Sequence, residues 1–175
     1  MNTGQTILTI GAFIFLNTIM LNFYQVTANT GDTISRGQDG ILATTIAASY
    51  LEIAQGLAYD QITDSSNVAL SNPAALTSPS LLGTEAGEDS IGLFNDFDDF
   101  NNKEYQKQAS GTNRIYRTHF DVYYVSPDNL GAKSSSRTYA KRMDLKTWRV
   151  FPPAESAVDL DTVRTAMVLG YFHFD

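Results

Sequence analysis

Cysteine is absent, which excludes disulfides, thiolate nucleophiles and every zinc or iron–sulfur site that needs sulfur ligands. Histidine is scarce. His119 and His173 stand far apart, no spacing around them supplies the rest of a zinc ligand set, and both read as surface strand residues. Charge is thin as well: Lys, Arg, Asp and Glu make up 18 % of the chain, below the roughly 25 % usual in soluble domains. None of it precedes Asp32. A net charge of −7 gives the whole molecule no reason to seek nucleic acid or an anionic lipid surface. No G-x-S-x-G, P-loop or dinucleotide fingerprint occurs, so no cofactor is expected and the chain does not read as an enzyme.

What is present starts with the longest hydrophobic run. Residues 7–24, ILTIGAFIFLNTIMLNFY, are apolar around the whole helical circumference. About 18 helical residues rise about 27 Å, close to the ~30 Å hydrocarbon core of a bilayer. A cleaved secretory signal would want Lys or Arg before the run and a small-residue cleavage site after it, and VTANTG is a poor match. A core helix apolar on all sides needs burial on all sides, which the rest of a 175-residue chain supplies poorly. A retained membrane-type helix is therefore expected. Within it Asn17, Thr18 and Asn22 are costly in lipid, while Gly11 and Ala12 leave a smooth notch. Both features suit contact between helices.

Gly31, Asp32 and Gly37 punctuate the next stretch, as a break or only a softening. A second helix is expected over about 38–60, with Leu42, Ile46, Tyr50, Ile53 and Leu57 on one face. Residues 63–112 read as a long loop rich in Ser, Asn, Pro and Gly, pinned by Leu70, Leu76, Leu81 and Leu82. Period-two strands follow between 114 and 174. In RIYRTHFDVYYV, Tyr116, Phe120, Val122 and Tyr124 share one face, and Arg117, His119 and Asp121 the other. RTYAKRMDLKTWRV returns with Tyr139, Met143 and Leu145 inward and stops at Pro152, and RTAMVLGYFHF forms the last strand. The expected fold class is α+β: a long N-terminal helix, its apolar half protruding, packed on a small C-terminal antiparallel sheet. Residues 1–30 form the hydrophobic helix and 31–175 a globular head.

This layout resembles that of type IV pilins and pseudopilins. Gly4 before QTILTIGAFIFLN resembles the glycine that precedes the cleavage point of prepilins, and LGTEAGEDSIGLFNDFDDFNN is similar to an acidic Asp/Phe segment of pilin-like proteins. The position that usually carries Glu, fifth after cleavage, is Thr9, and the leader MNTG has no basic residue. Cleavage would make Gln5 the first residue; retention of Met1 is the expectation. The resemblance implies an extracellular filament subunit, inserted in the inner membrane before assembly, whose partners are its own copies and a pilus or secretion assembly machinery. The polymer interface would be Ile7, Leu8, Ile10, Phe13, Phe15, Leu16, Ile19 and Leu21. The alternative is a single-pass membrane-anchored accessory protein, either a pseudopilin of a secretion system or a binding ectodomain.

The remaining charges are polarised. Segment 85–99 holds six acids and no base, and 103–149 holds ten of the twelve Lys and Arg against four acids. Asp96, Asp98 and Asp99 offer calcium-type oxygen ligands, although no EF-hand spacing surrounds them. The plainer reading is an acidic loop solvated or paired with arginine and anchored by Phe94, Phe97 and Phe100. Arg114, Arg117, Lys133, Arg137, Lys141, Arg142, Lys146 and Arg149, with Tyr123 and Trp148, could in principle grip a single strand of nucleic acid. A solvated strand face complementing the acids is the preferred reading. Acids and bases should then meet within a subunit or between neighbours.

Overall fold

The computed structural model describes residues 2–65, 70–153 and 162–172. The chain divides into two compact units, Met1–Asp39 and Gly40–Asp175. One helix, α1 (Thr3–Gln55), passes through both and runs through Gly31 and Gly37 without interruption. In the first unit its side chains are almost all exposed.

In the second unit the same helix becomes one-sided. Ala43, Ile46, Ala47, Tyr50 and Ala54 recur at helical spacing and are buried against a five-stranded antiparallel sheet. Ile53, expected on this face, is largely exposed, and alanines fill the seam instead. Small residues there let the helix approach the strands while Tyr50 reaches over Phe120, ring edge to ring face, at 5.2 Å between centroids.

The strands are β1 (Glu104–Gln108), β2 (Ile115–Ser126), β3 (Asn129–Lys133), β4 (Ala140–Phe151) and β5 (Val163–Gly170). Their order is β1-β2-β4-β5, with β3 pairing β2. The centre is the long β2–β4 pair, where Phe120 stands opposite Leu145 and Val122 opposite Met143, all four buried. Alternation in β2 places Tyr116, Thr118, Phe120, Val122 and Tyr124 inward, as period two requires.

Three elements differ from the sequence expectation. Helix α1 stops at Gln55 rather than near 60, because its final turn tightens (Gly56 N to Ile53 O, 3.0 Å) and Ala58 leaves to pair elsewhere. Its amide donates to Asn95 O at 3.1 Å and its carbonyl accepts from Phe97 N at 2.9 Å. Strand β1 lies inside the expected loop 63–112, since EYQKQ has no apolar alternation and owes its conformation to pairing with β2. Likewise β3, exposed throughout, occupies the expected turn after β2.

A buried hydroxyl pair sits in the middle of the sheet. Thr118 Oγ1 and Thr147 Oγ1 face each other across β2 and β4 at 3.0 Å, both residues buried. Thr118→Val alone should cost about 1–3 kcal/mol, because it strands the other hydroxyl, whereas the double valine change should fall within about 1 kcal/mol of wild type. Denaturant unfolding of the single and double variants measures the difference; equal losses would show that the pair is not coupled.

Candidate assembly helix and acidic cluster

The first candidate site is the N-terminal part of α1. Ile7, Leu8, Ile10, Phe13, Phe15, Leu16, Ile19 and Leu21 are all exposed, from 49 % at Ile19 to 76 % at Leu8. It is the one stretch among the described residues that is long and apolar enough to cross a membrane, and none of it is buried. Its threonines are already adapted to a dry medium: the hydroxyls of Thr9, Thr18 and Thr27 donate to the carbonyls of Gln5, Ile14 and Phe23 at 2.8–2.9 Å. The side-chain amides of Asn17 and Asn22 have no such internal partner among the described residues. In lipid or in a helix bundle they need one from another molecule.

The second site lies in the head, where residues 95–97 pair in parallel with Ala58, just beyond the end of α1. A short 3-10 turn, Phe97–Phe100, is capped by Asp96, whose Oδ1 accepts from Asp98 N at 2.8 Å. Asp99 Oδ2 reaches back to Asn95 N at 2.9 Å and Asp96 N at 3.1 Å, completing a capping box. Phe97 and Phe100 are fully buried on the core side and hold the turn down. All three aspartates are consequently buried too, and the turn separates their roles.

Asp98 points to Lys141. This lysine projects from β4 into the interior, with no exposure, and its ammonium donates to Asp98 Oδ1, to Asp60 Oδ2 at 2.9 Å and to the Tyr59 carbonyl at 2.8 Å. The rings of Tyr59 and Tyr124 flank the charge at 4.7 and 5.4 Å. Burial pushes the Asp60 carboxyl up. The Lys141 charge and hydrogen bond, with the Thr77 amide and hydroxyl, more than offset it and leave the group below its ordinary value. For Asp98 burial prevails and its affinity for a proton is raised. One ammonium serves two carboxylates, and the better-solvated position by hydrogen bonds keeps the charge.

Asp96 and Asp99 turn to the other side, toward Glu85. One carboxylate oxygen from each of Glu85, Asp96 and Asp99 lies within 4.8 Å of the others. Glu88 stands beside them, buried, accepting the Glu85 amide at 2.8 Å. That contact closes a turn in which Gly87 has φ +102°, a conformation reserved for residues without Cβ. Burial, reinforced by the charges of Asp98 and Asp99, pushes Asp96 up to about 8. Partial desolvation and the bond to Glu88 push Glu85 up to about 7.

Three of the other bases pair with acids of the sheet. Arg117 is 3.7 Å from Glu104, Lys133 2.7 Å from Asp121 and Arg142 2.8 Å from Asp144. Lys141 to Asp98 is thus the ion pair joining the acidic segment to the basic one among the described residues, and Lys141 does not belong to the solvated basic face expected from sequence. His119 Nδ1 lies 3.5 Å from Glu104 Oε1 on the outer face of the sheet. His173 and Met1 lie outside the described residues. The sequence reading passed over Asp60 and counted Glu85 and Glu88 only among the six acids of segment 85–99, not as part of a site. Compared with known protein families, curated proteins and solved structures, the chain matches none of them significantly.

Proposed function

We propose that this chain is a structural subunit of a pilus-like filament at the cell surface. Its N-terminal helix lies in the cytoplasmic membrane before assembly and among the helices of its own copies afterwards. The observation that carries this reading is the exposure of an all-round apolar helix with a folded α+β head on the same chain. Burying one such side chain contributes roughly 1.5–3 kcal/mol, so the eight large side chains from Ile7 to Leu21 suffice to hold neighbouring copies together. Water would leave that energy unrealised, and lipid alone would leave Asn17 and Asn22 without partners. A bundle of helices supplies both apolar contact and amide partners. The competing reading, a single-pass anchored accessory protein, needs the same helix but not the amide contacts.

Electron microscopy of material sheared from expressing cells tests the proposal. Filaments dominated by this chain are expected. If the protein stays with the membranes and leaves detergent only as monodisperse monomers that never polymerise, the anchored reading replaces this one.

A further inference from the structure

The acidic cluster has two unusual properties. First, it is short of positive charge: among the described residues no Lys or Arg pairs with Glu85, Glu88, Asp96 or Asp99, since Lys141 is occupied by Asp60 and Asp98. Second, it contains unused acceptors. Asp96 and Asp99 are both fully buried, and each spends one oxygen on the backbone amides of the capping box. Their other oxygens, Asp96 Oδ2 and Asp99 Oδ1, are buried and receive no N–H or hydroxyl donor among the described residues, and the same holds for Asn95 Oδ1 next to them in sequence. The side-chain neighbours these two aspartates do have, Asp98 and Glu88, are themselves carboxyls. Buried polar atoms are almost always satisfied, so an orphaned pair of carboxylate oxygens beside a third carboxylate calls for a missing partner. Two carboxyls can be held face to face by a shared proton or by a shared cation.

We propose that Glu85, Asp96 and Asp99, backed by Glu88, form a calcium-binding site. The donor set is oxygen only, which suits a hard cation and not zinc or copper. Two oxygens bound to one calcium ion at about 2.4 Å can stand up to about 4.8 Å apart, in keeping with the separations in the cluster. Magnesium keeps most of its water and takes only one or two carboxylates, so three converging carboxylates favour the larger ion. The capping box orients Asp96 and Asp99 without a metal, leaving the free oxygen of each available. Glu85, exposed on the Gly87 turn, is the ligand through which the ion enters and leaves. Water completes the shell on that side. Binding would clamp the 83–90 loop onto the 95–100 turn. This assignment is independent of polymerisation and holds equally for a filament subunit and an anchored protein.

The test uses the full chain in non-ionic detergent, stripped of divalent ions with a chelator and exchanged into chelator-free buffer. Calcium chloride is then titrated in by calorimetry, and thermal unfolding of the head is followed in parallel. One calcium per chain is expected, with the head's Tm rising by about 5–10 °C at a hundredfold excess over Kd. Magnesium chloride should bind at least tenfold more weakly; equal affinity would overturn the assignment to calcium. Glu85→Gln, an exposed change that does not threaten the fold, should weaken calcium at least tenfold, as should Asp96→Asn and Asp99→Asn. Asp128→Asn, on the turn before β3, should bind as wild type does. No saturable heat and an unmoved Tm in wild type would overturn the proposal, and so would a Glu85→Gln variant that binds normally. Asp96→Asn and Asp99→Asn proteins that are more stable than wild type and indifferent to calcium would show that a shared proton, not a cation, occupies the cluster.

Discussion

Lys141→Met is expected to destabilise the head by about 3–5 kcal/mol, the cost of removing one partner from a buried ion pair. Thermal unfolding followed by circular dichroism should show a fall in Tm on the order of 10 °C for a chain of this size. The cause is not the lost attraction alone. Asp60 and Asp98 would remain in the interior with no counter-ion, and Tyr59 O would lose its donor. A triple change, Asp60→Asn with Asp98→Asn and Lys141→Met, should recover part of the stability, because it removes the stranded charges although Tyr59 O still lacks its donor. If the single and triple variants are equally destabilised, the triad is not the source of the loss.

The pH dependence of this variant gives an independent check. In wild type the folded-state pKa of Asp60 lies below its unfolded value, so its contribution is complete above the unfolded pKa. It disappears as pH falls through the folded value. Wild-type stability should therefore decline below about pH 4. Without Lys141, burial, the largest influence on Asp60, is opposed only by the Thr77 amide and hydroxyl, and the Asp60 pKa rises. Acidification toward pH 5 should then stabilise Lys141→Met by more than it stabilises wild type, in which the raised Asp96 and Glu85 carboxyls already favour the folded state as pH falls.

Leu16→Asp, near the middle of the apolar run, is expected to abolish assembly while leaving the head's Tm unaltered. A carboxylate at the centre of a membrane helix costs about 2.5–3.5 kcal/mol on insertion scales, and in a polymer the same fault recurs in every subunit. Leu81→Asp, an exposed leucine in the head, is the control and should assemble normally. Filament yield from Leu16→Asp within twofold of wild type would contradict the role given to this helix. Asn17→Leu combined with Asn22→Leu separates the two functional readings further. An anchored monomer should insert at least as well without the amides. A filament should lose interhelical bonds worth about 0.6–2 kcal/mol each and shed subunits at lower temperature.

The N-terminal helix was legible because nothing about it depends on the rest of the chain. Eighteen residues without charge, apolar in every direction, fix their own conformation and their need for a dry environment. The inward set of β2 was legible for a similar reason, since period two converts position directly into face. The same rule carried a signal about Lys141 that was missed. It shares parity with Tyr139, Met143 and Leu145, and an ammonium on an inward face implies buried carboxylates somewhere. Which carboxylates, no local pattern could say. Asp60 lies 81 residues away in sequence and Asp98 lies 43 away.

The division of labour inside NDFDDFNN was likewise decided by tertiary contact. As a sequence, Asp96, Asp98 and Asp99 are one acidic run. The 3-10 turn, fixed by Phe97 and Phe100 in the core and by the pairing of Ala58 with Asn95 and Phe97, sends Asp98 to the lysine and the other two toward Glu85. Strand β1 and the end of α1 belong to the same category, because backbone groups there found better partners in distant segments than local propensity offered. Hydrophobic periodicity is a property of neighbours along the chain, whereas the pairing of buried charges is settled by which segments the core brings together.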